Sequence, residues 1–434
     1  FVTCFRLPTY VLAGALKVSF TRFAFFFLVA AAIWTPILVG SVAFAQSMLF
    51  SSNALIGLVA LFFAIRLIHK YSSWRNRRLL VGRFRRLTKW EFWPLWAFYA
   101  PVVIYVLWLG LRFCRPTAFA SANPAIPAGG FKGESKNEIY RLLAANEETA
   151  GHFLRHFVVT AELSASDRLF AAEGLMSAAG LDFPVVVKPD AGERGAGVAI
   201  VQNRSELEAA LEGAEQPVIV QELAAGVEAS VFYYRIPGED RGHIFSITEK
   251  RFPEVIGDGR STLEELILKD PRAVAMAEKY FERNAGELSR VLAQGESFRL
   301  IDIGTHSRGA VFLDGGHLLT PELEERIDAI CRGLDGFNFG RFDLRAASFE
   351  ALGAGQFSII ELNGVTSEST NIYDPRYTLL DAYRILFRQW RIAFEVGLAN
   401  IASGAEPVSV GELIRLAFGK RPAVKPRENA EQCA

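Results

Sequence analysis

Residues 23–45 run without a charge, long enough as a helix to cross a hydrocarbon layer of about 30 Å. A second apolar run, 48–68, is interrupted only by Arg66 near its end, where a long side chain can reach the interface. The link around 46–53 is short and uncharged. Residues 69–89 then carry Lys70, Arg75, Arg77, Arg78, Arg83, Arg85, Arg86 and Lys89 and no acid. Positive residues flanking membrane helices stay inside. The pattern therefore predicts an N-terminal segment (1–22), two transmembrane helices (23–45 and 48–68) and a basic cytoplasmic loop (69–89). The competing reading is a cleaved signal, because Ala43-Phe44-Ala45 before Gln46 has the form of a signal-peptidase site; the apolar stretch is longer than a signal uses.

Residues 90–113 are also apolar, but Pro94 and Pro101 interrupt them and Trp90, Trp93, Trp96 and Tyr99 crowd the first half. Trp and Tyr favour the headgroup level. The expectation is an interfacial or re-entrant segment, since a full crossing would carry the rest of the chain out of the cytoplasm. Residues 114–135, rich in Pro, Ala and Gly, read as a linker. Helical periodicity over 137–145, 166–179 and 205–211 then alternates with β-rich runs over 183–187, 198–201, 218–221 and 230–236. That alternation predicts an α+β or α/β domain over 136–400. A helix at 383–398 is followed by a polar mobile tail, 401–434.

Composition sharpens the division. The chain has 434 residues with 47 basic and 47 acidic side chains, yet residues 1–115 hold 14 Lys or Arg and one acid, Glu91. The remainder is left with 33 basic and 46 acidic residues. A basic apolar front suits an anionic membrane surface, and an acidic back argues against nucleic acid as a partner. The four cysteines, Cys4, Cys114, Cys331 and Cys433, are scattered, which fits neither a zinc site nor a disulfide framework.

Three motifs carry chemistry. In FPVVVKPDAGERGAGVAIV (183–201) a strand delivers Lys188, and Gly192, Gly195 and Gly197 lead into the next strand. Glycines let backbone N–H groups approach phosphate oxygens, and a lysine adds a point charge. No GK[ST] opens a helix, so this is not a Walker loop; a plain turn is the alternative. In VIVQELAAGVEASVFYY (218–234) a strand ends at Gln221 and Glu222, beside Leu223, and Glu228 opens the next strand. Strand-end backbone groups can read an adenine edge, and the acid beyond can bind a ribose diol; solvated acids on a strand–turn–strand are the alternative. In FGRFDLRA (339–346) and FSIIELNGVTSEST (357–370), Asp343 lies on one strand, and Glu361 and Asn363 share a face of another. Two carboxylates and an amide suit Mg²⁺, which takes the rest of its shell from water and phosphate; a structural acid capped by Arg341 or Arg345 is the alternative.

In this order and spacing the motifs resemble the ATP-grasp superfamily over roughly 134–395. The resemblance implies an α+β ATP-grasp fold, two α+β subdomains with antiparallel sheets enclosing the nucleotide, here preceded by helical membrane segments. It also implies ATP with Mg²⁺, or Mn²⁺ in its place. Carried over, Lys136 and Lys188 contact phosphates with the Gly195–Gly197 turn, Glu222 and Leu223 lie by the adenine, and Glu228 lies by the ribose. Asp343, Glu361 and Asn363 hold the metal. The stretch RFPEVIGDGRSTLEELI (251–267) is similar to cyanophycin synthetase and related ligases. That branch joins a carboxylate to an amine through an acylphosphate. Arg341, Arg299, His306 and Arg308 are the candidate catalytic residues; His152, His156, His243 and His317 lack a comparable setting.

The family's usual additional N-terminal α/β domain has little room before Lys136. The expectation is that membrane segments replace it, with small-molecule or lipid-linked carboxylate and amine substrates presented at a bacterial-type inner membrane and the catalytic domain facing the cytoplasm. A membrane-tethered ATP-binding protein without ligase activity, or an ATP-grasp kinase, is the alternative.

Overall fold

The computed structural model describes residues 19–48, 52–144, 147–192 and 195–419 and divides into two compact units, Phe1–Arg77 and Arg78–Ala434. Residues 1–18, 49–51 and 420–434, within the expected N-terminal segment, link and tail, lie outside the described residues.

The first unit carries a helix over Phe20–Met48 with Pro36 inside it and a second over Ser52–Tyr71. Within the first, Phe20–Phe44 is long and apolar enough to cross a membrane, and its most apolar stretch has no buried residue. Ile56–Tyr71 meets that criterion only jointly with Trp74–Thr88, across the break at Ser72 and Ser73.

The second unit begins well before Lys136, which corrects the basic loop and the linker, while Leu95–Arg112 keeps the length and hydropathy of a membrane span. Most of the basic segment is helix, over Trp74–Thr88, rather than loop. Arg78 Nε donates to Leu268 O at 2.7 Å, Arg83 pairs with Glu278 at 2.8 Å, and a Cβ at Gly82 would fall 2.1 Å from Val274 O. Its charges are therefore partly spent on the domain. Residues 90–113 form a short turn, Trp90–Phe92, and a helix, Leu95–Arg112. Phe98, Val102 and Leu109 are buried, and Phe98 and Tyr105 stack on Tyr383 and Phe387 at 5.5 and 4.3 Å. Spacings of three and four place these side chains on one helical stripe, which explains the docking. Residues 114–135 are no free linker: Asn123 is wholly buried. It donates to Gly129 O and Phe339 O and accepts from the Asn338 and Phe339 N–H groups.

Two antiparallel sheets follow. One has the order β1-β4-β2-β3, with β1 His156–Val159, β2 Val185–Pro189, β3 Ala199–Val201 and β4 Val218–Glu222. Helices Ala165–Ala179 and Arg204–Glu212 supply Leu169, Met176, Leu207 and Leu211 to its core. The other has the order β11-β10-β5-β6-β9, with β5 Val227–Tyr234, β6 His243–Arg251, β9 Val311–Asp314, β10 Phe339–Ala346 and β11 Ser358–Asn363. A small pair, β7 Glu254–Ile256 and β8 Ser297–Arg299, completes the strands. The α+β class with antiparallel sheets is as expected.

The expected helix at 383–398 runs over Leu379–Ala402, opened by a Thr378–Asp381 capping box. Part of the expected tail is also helix, Val410–Phe418, with Ser409 as its cap and Leu413 buried.

Candidate active site

One cavity of about 890 Å³ opens in the second unit. Its lining includes Lys136, Lys188, Gly195, Glu222, Leu223, Glu228, His306, Arg341, Asp343, Glu361 and Asn363, so most of the expected site residues come together. Gly197, Arg299 and Arg308 are not among the lining residues.

Strand register explains the gathering. Asp343 on β10 faces Glu361 on β11 and Ser230 on β5, while Arg341 faces Asn363. Two residues along, Glu228 on β5 stands between Arg345 on β10 and Lys250 on β6. Cross-strand partners project to the same face, so one side of the sheet becomes a polar platform.

Ion pairs fill that platform. Lys250 Nζ is 2.8 Å from Glu228 and 3.1 Å from Asp343; Arg345 reaches Glu228 at 3.0 Å and Arg341 reaches Asp343 at 3.3 Å. Ser230 donates to Asp343 at 2.5 Å. Burial pushes the Asp343 carboxyl up, but Arg341, Lys250 and the Ser230 bond outweigh it and hold the group well below the usual carboxylate range. Lys250, although buried, is held above its ordinary value by Asp343 and Glu228.

Lys136 and Lys188 approach from the other wall. Lys136 pairs with Glu361 at 3.3 Å and donates to Gly192 O at 3.0 Å. Lys188 donates to Gln221 Oε1 at 2.7 Å and to Ile360 O at 3.2 Å, and burial lowers its ammonium to about 8.

The glycine turn adopts φ of +73° at Gly195 and +72° at Gly197, where glycine avoids strain. Arg308 Nη2 donates to Gly195 O at 2.7 Å and Val198 O at 3.2 Å. Arg308 therefore holds the turn from behind. Arg299 stacks on Phe252, its guanidinium carbon 3.6 Å from the ring centroid. The Glu222 carboxylate makes two 3.0 Å bonds to Arg155, and the Glu222 N–H donates to Arg155 O. Strand pairing thus already uses its backbone donor.

Several lining residues carried no readable signal. Lys250 lies in β6, HIFSITEKR, between Glu249 and Arg251, and only the register puts it opposite Glu228. Glu91, the lone acid of the front, pairs with Arg272 at 3.1 Å and lies 3.8 Å from His306. Burial pushes the Glu91 carboxyl up, but His306 and Arg272 hold it below its ordinary value. Glu134 and Glu368 are each pushed by burial to about 7. Glu134 Oε2, Asn363 Nδ2 and His306 Nε2 are buried and lack a hydrogen-bond partner, a cost a bound polar ligand can offset. His306 stacks on Tyr373 at 4.1 Å.

Among the described residues no three His, Cys, Asp or Glu cluster at metal-ligand spacing. The candidate donor set is two facing carboxylates and an amide, hard ligands that fit an ion completing its shell with phosphate and water.

No family model and no curated protein matches this chain. Among solved structures it is similar to a bifunctional glutathione synthetase from Pasteurella multocida, at 19% identity and TM-score 0.31 over 58% of this chain and 36% of that one. It is also similar to a D-alanine–D-alanine ligase from Bacillus anthracis, at 17% identity and TM-score 0.38 over 64% and 70%, respectively. A third is the VanG D-Ala:D-Ser ligase from Enterococcus faecalis, at 16% and 0.33 over 61% and 62%. The matched part of this chain thus spans about a third of the glutathione synthetase's length.

Proposed function

We propose that the second unit is an ATP-grasp ligase, which binds a magnesium nucleotide and uses it to join a carboxylate to an amine through an acylphosphate. The observation that carries this reading is the convergence of Lys136, Lys188, Lys250 and Arg341 with Asp343, Glu361 and Asn363 in one cavity. Separately, each motif fits a structural role; together they make a cationic cradle around hard oxygen donors.

The residues divide the work. Lys136 and Lys188 neutralise phosphate charge, and the Gly195–Gly197 turn, pinned by Arg308, lets backbone approach it. Leu223 and the backbone near Glu222 border the base. Asp343, Glu361 and Asn363 would hold Mg²⁺, which when bound draws charge off the transferring phosphoryl group. Lys250 pairs with both Asp343 and Glu228 and helps keep Asp343 ionised in a buried place. Arg341 is positioned to stabilise the oxyanion that forms as the amine adds. Here Glu228 is held by two cations, so contact with a ribose would be made by an already oriented carboxylate.

In this reading the chain is anchored in a bacterial-type inner membrane with the site on the cytoplasmic side, where ATP is available; the length and hydropathy of the Phe20–Phe44 helix support the anchor. The test is turnover with a carboxylic acid panel labelled with oxygen-18 in the carboxyl group. Transfer of one label into released phosphate, lost in Asp343→Ala, supports the acylphosphate. Phosphate that stays on the substrate would instead mean a kinase.

A further inference from the structure

The cavity has two chemistries. On the sheet platform, Glu228, Asp343 and Glu361 each have a cation partner. Beyond Arg341 the walls turn aromatic: Trp90 stacks on Phe98 at 5.3 Å and on Tyr373 at 5.7 Å, with Tyr99 and Trp390 also lining. Two carboxylates stand there: Glu91, which Arg272 neutralises at 3.1 Å, and Glu368. Glu368 accepts from Tyr99 and from Tyr373, the latter at 3.2 and 3.3 Å. Among the described residues no cation lies within ion-pair distance of its carboxylate; Arg341 reaches only its backbone carbonyl, at 3.1 Å. Neutral phenols hold the group in place and supply no counter-charge. A carboxylate among aromatic faces, without a protein cation, is a setting that favours an ammonium supplied by a ligand.

The two helices bordering this end have unusual outer faces. Leu95–Arg112 gives Leu95, Phe98 and Tyr99 to the cavity. On its other side Trp96, Ile104, Leu107 and Leu111 are 63–79% exposed. Val410–Phe418 gives Ala417 to the cavity, while Val410, Ile414 and Phe418, each four apart, are exposed. Lys132 ties this helix down by donating to Ala417 O at 2.7 Å. Apolar faces on both flanks, with Arg112 over the Trp108 ring at 5.3 Å, suit an anionic bilayer surface.

We propose that the aromatic end takes the primary-amine headgroup of a membrane lipid, with the ammonium at Glu368 and the acyl chains directed past the helices Leu95–Arg112 and Val410–Phe418 into the bilayer. This rests on the ligase reading and names the nucleophile. In the transfer, the amine nitrogen forms a bond to the acyl carbon as the carbon–oxygen bond to phosphate breaks. The ammonium yields one proton to Glu368 and the second leaves with inorganic phosphate, so the product is a neutral amide.

The test is native mass spectrometry of the full chain in detergent, incubated with equimolar phosphatidylethanolamine, phosphatidylcholine and phosphatidylglycerol. Wild type is expected to retain the primary amine lipid about tenfold over its trimethylated counterpart, the scale of one charge-assisted contact. Glu368→Gln, which keeps an acceptor for both phenols, is expected to lose that preference. Equal retention of the two lipids, or a preference unchanged in Glu368→Gln, overturns the proposal. So does displacement of the lipid by glycerophosphoethanolamine at equal concentration, which would make the amine water-soluble. Binding of Mg-ATP in the same samples is read separately: its loss in wild type sinks the ligase reading, and its retention in Glu368→Gln shows the variant is folded.

Discussion

Lys250 and Glu228 face each other across β5 and β6, and the lysine ammonium is shared between Glu228 at 2.8 Å and Asp343 at 3.1 Å. All three side chains are buried. Removing the cation leaves two buried carboxylates short of a partner, which costs about 3–5 kcal/mol. Lys250→Met is therefore expected to lower stability by that order in denaturant unfolding and to raise the Asp343 carboxyl. A loss well under 1 kcal/mol would mean Arg341 and Arg345 suffice.

Lys188 gives a pH signature. Burial lowers its ammonium to about 8, with Glu361 opposing. The charge is present below that value and is lost as pH rises through it, so nucleotide affinity falls up to about tenfold per unit above pH 8. The contribution to stability has the opposite sign. The unfolded chain holds this proton more tightly, so stability from this group rises from about pH 8 towards the ordinary 10.5. Titrating nucleotide affinity in Lys188→Met checks the assignment: the fall above pH 8 should vanish.

Arg308 tests the glycine turn without touching the platform. Arg308→Ala removes bonds to Gly195 O and Val198 O. The expected result is a several-fold rise in KM for ATP with kcat within about twofold, because the turn loosens while the metal donors stay in place. Gly195→Ala should act in the same direction more strongly, since its φ is +73° and a Cβ would lie 2.9 Å from Thr305 Cγ2.

Asn123 tests whether residues 114–135 belong to the domain. Its side chain satisfies two carbonyls and two N–H groups in a fully buried place. Asn123→Ala is expected to cost about 3 kcal/mol in denaturant unfolding. A chain trimmed to begin at Lys136 should fail to give a cooperative transition, whereas one beginning at Arg78 should keep it.

What was legible follows from how each feature is encoded. Lys188, Glu361 and Asn363 stand near strand ends in apolar strings, where a polar residue is conspicuous, and the cavity gathers them with Asp343 from the middle of β10. Lys250 and Arg345 belong to the same cavity but owe their places to register between strands distant in sequence, which local pattern does not specify. Glu368 lies in the loop after β11, held by Tyr99 from far along the chain. Residues 90–113 read as membrane by hydropathy, yet one stripe of their helix stacks on Tyr383 and Phe387 on a helix nearly 300 residues away. Composition could not distinguish lipid from a protein partner there. The Pro-rich stretch read as linker because nothing local signals that Asn123 caps β10 from a distance.

The most direct test of the central claim is calorimetric binding of ATP to the full chain with and without Mg²⁺, in wild type, Lys188→Met and Asp343→Ala. The account predicts metal-enhanced binding in wild type, weakening of about tenfold or more in Lys188→Met, and loss of the metal enhancement in Asp343→Ala. Equal affinity in all three proteins, or no dependence on Mg²⁺ in wild type, would contradict it.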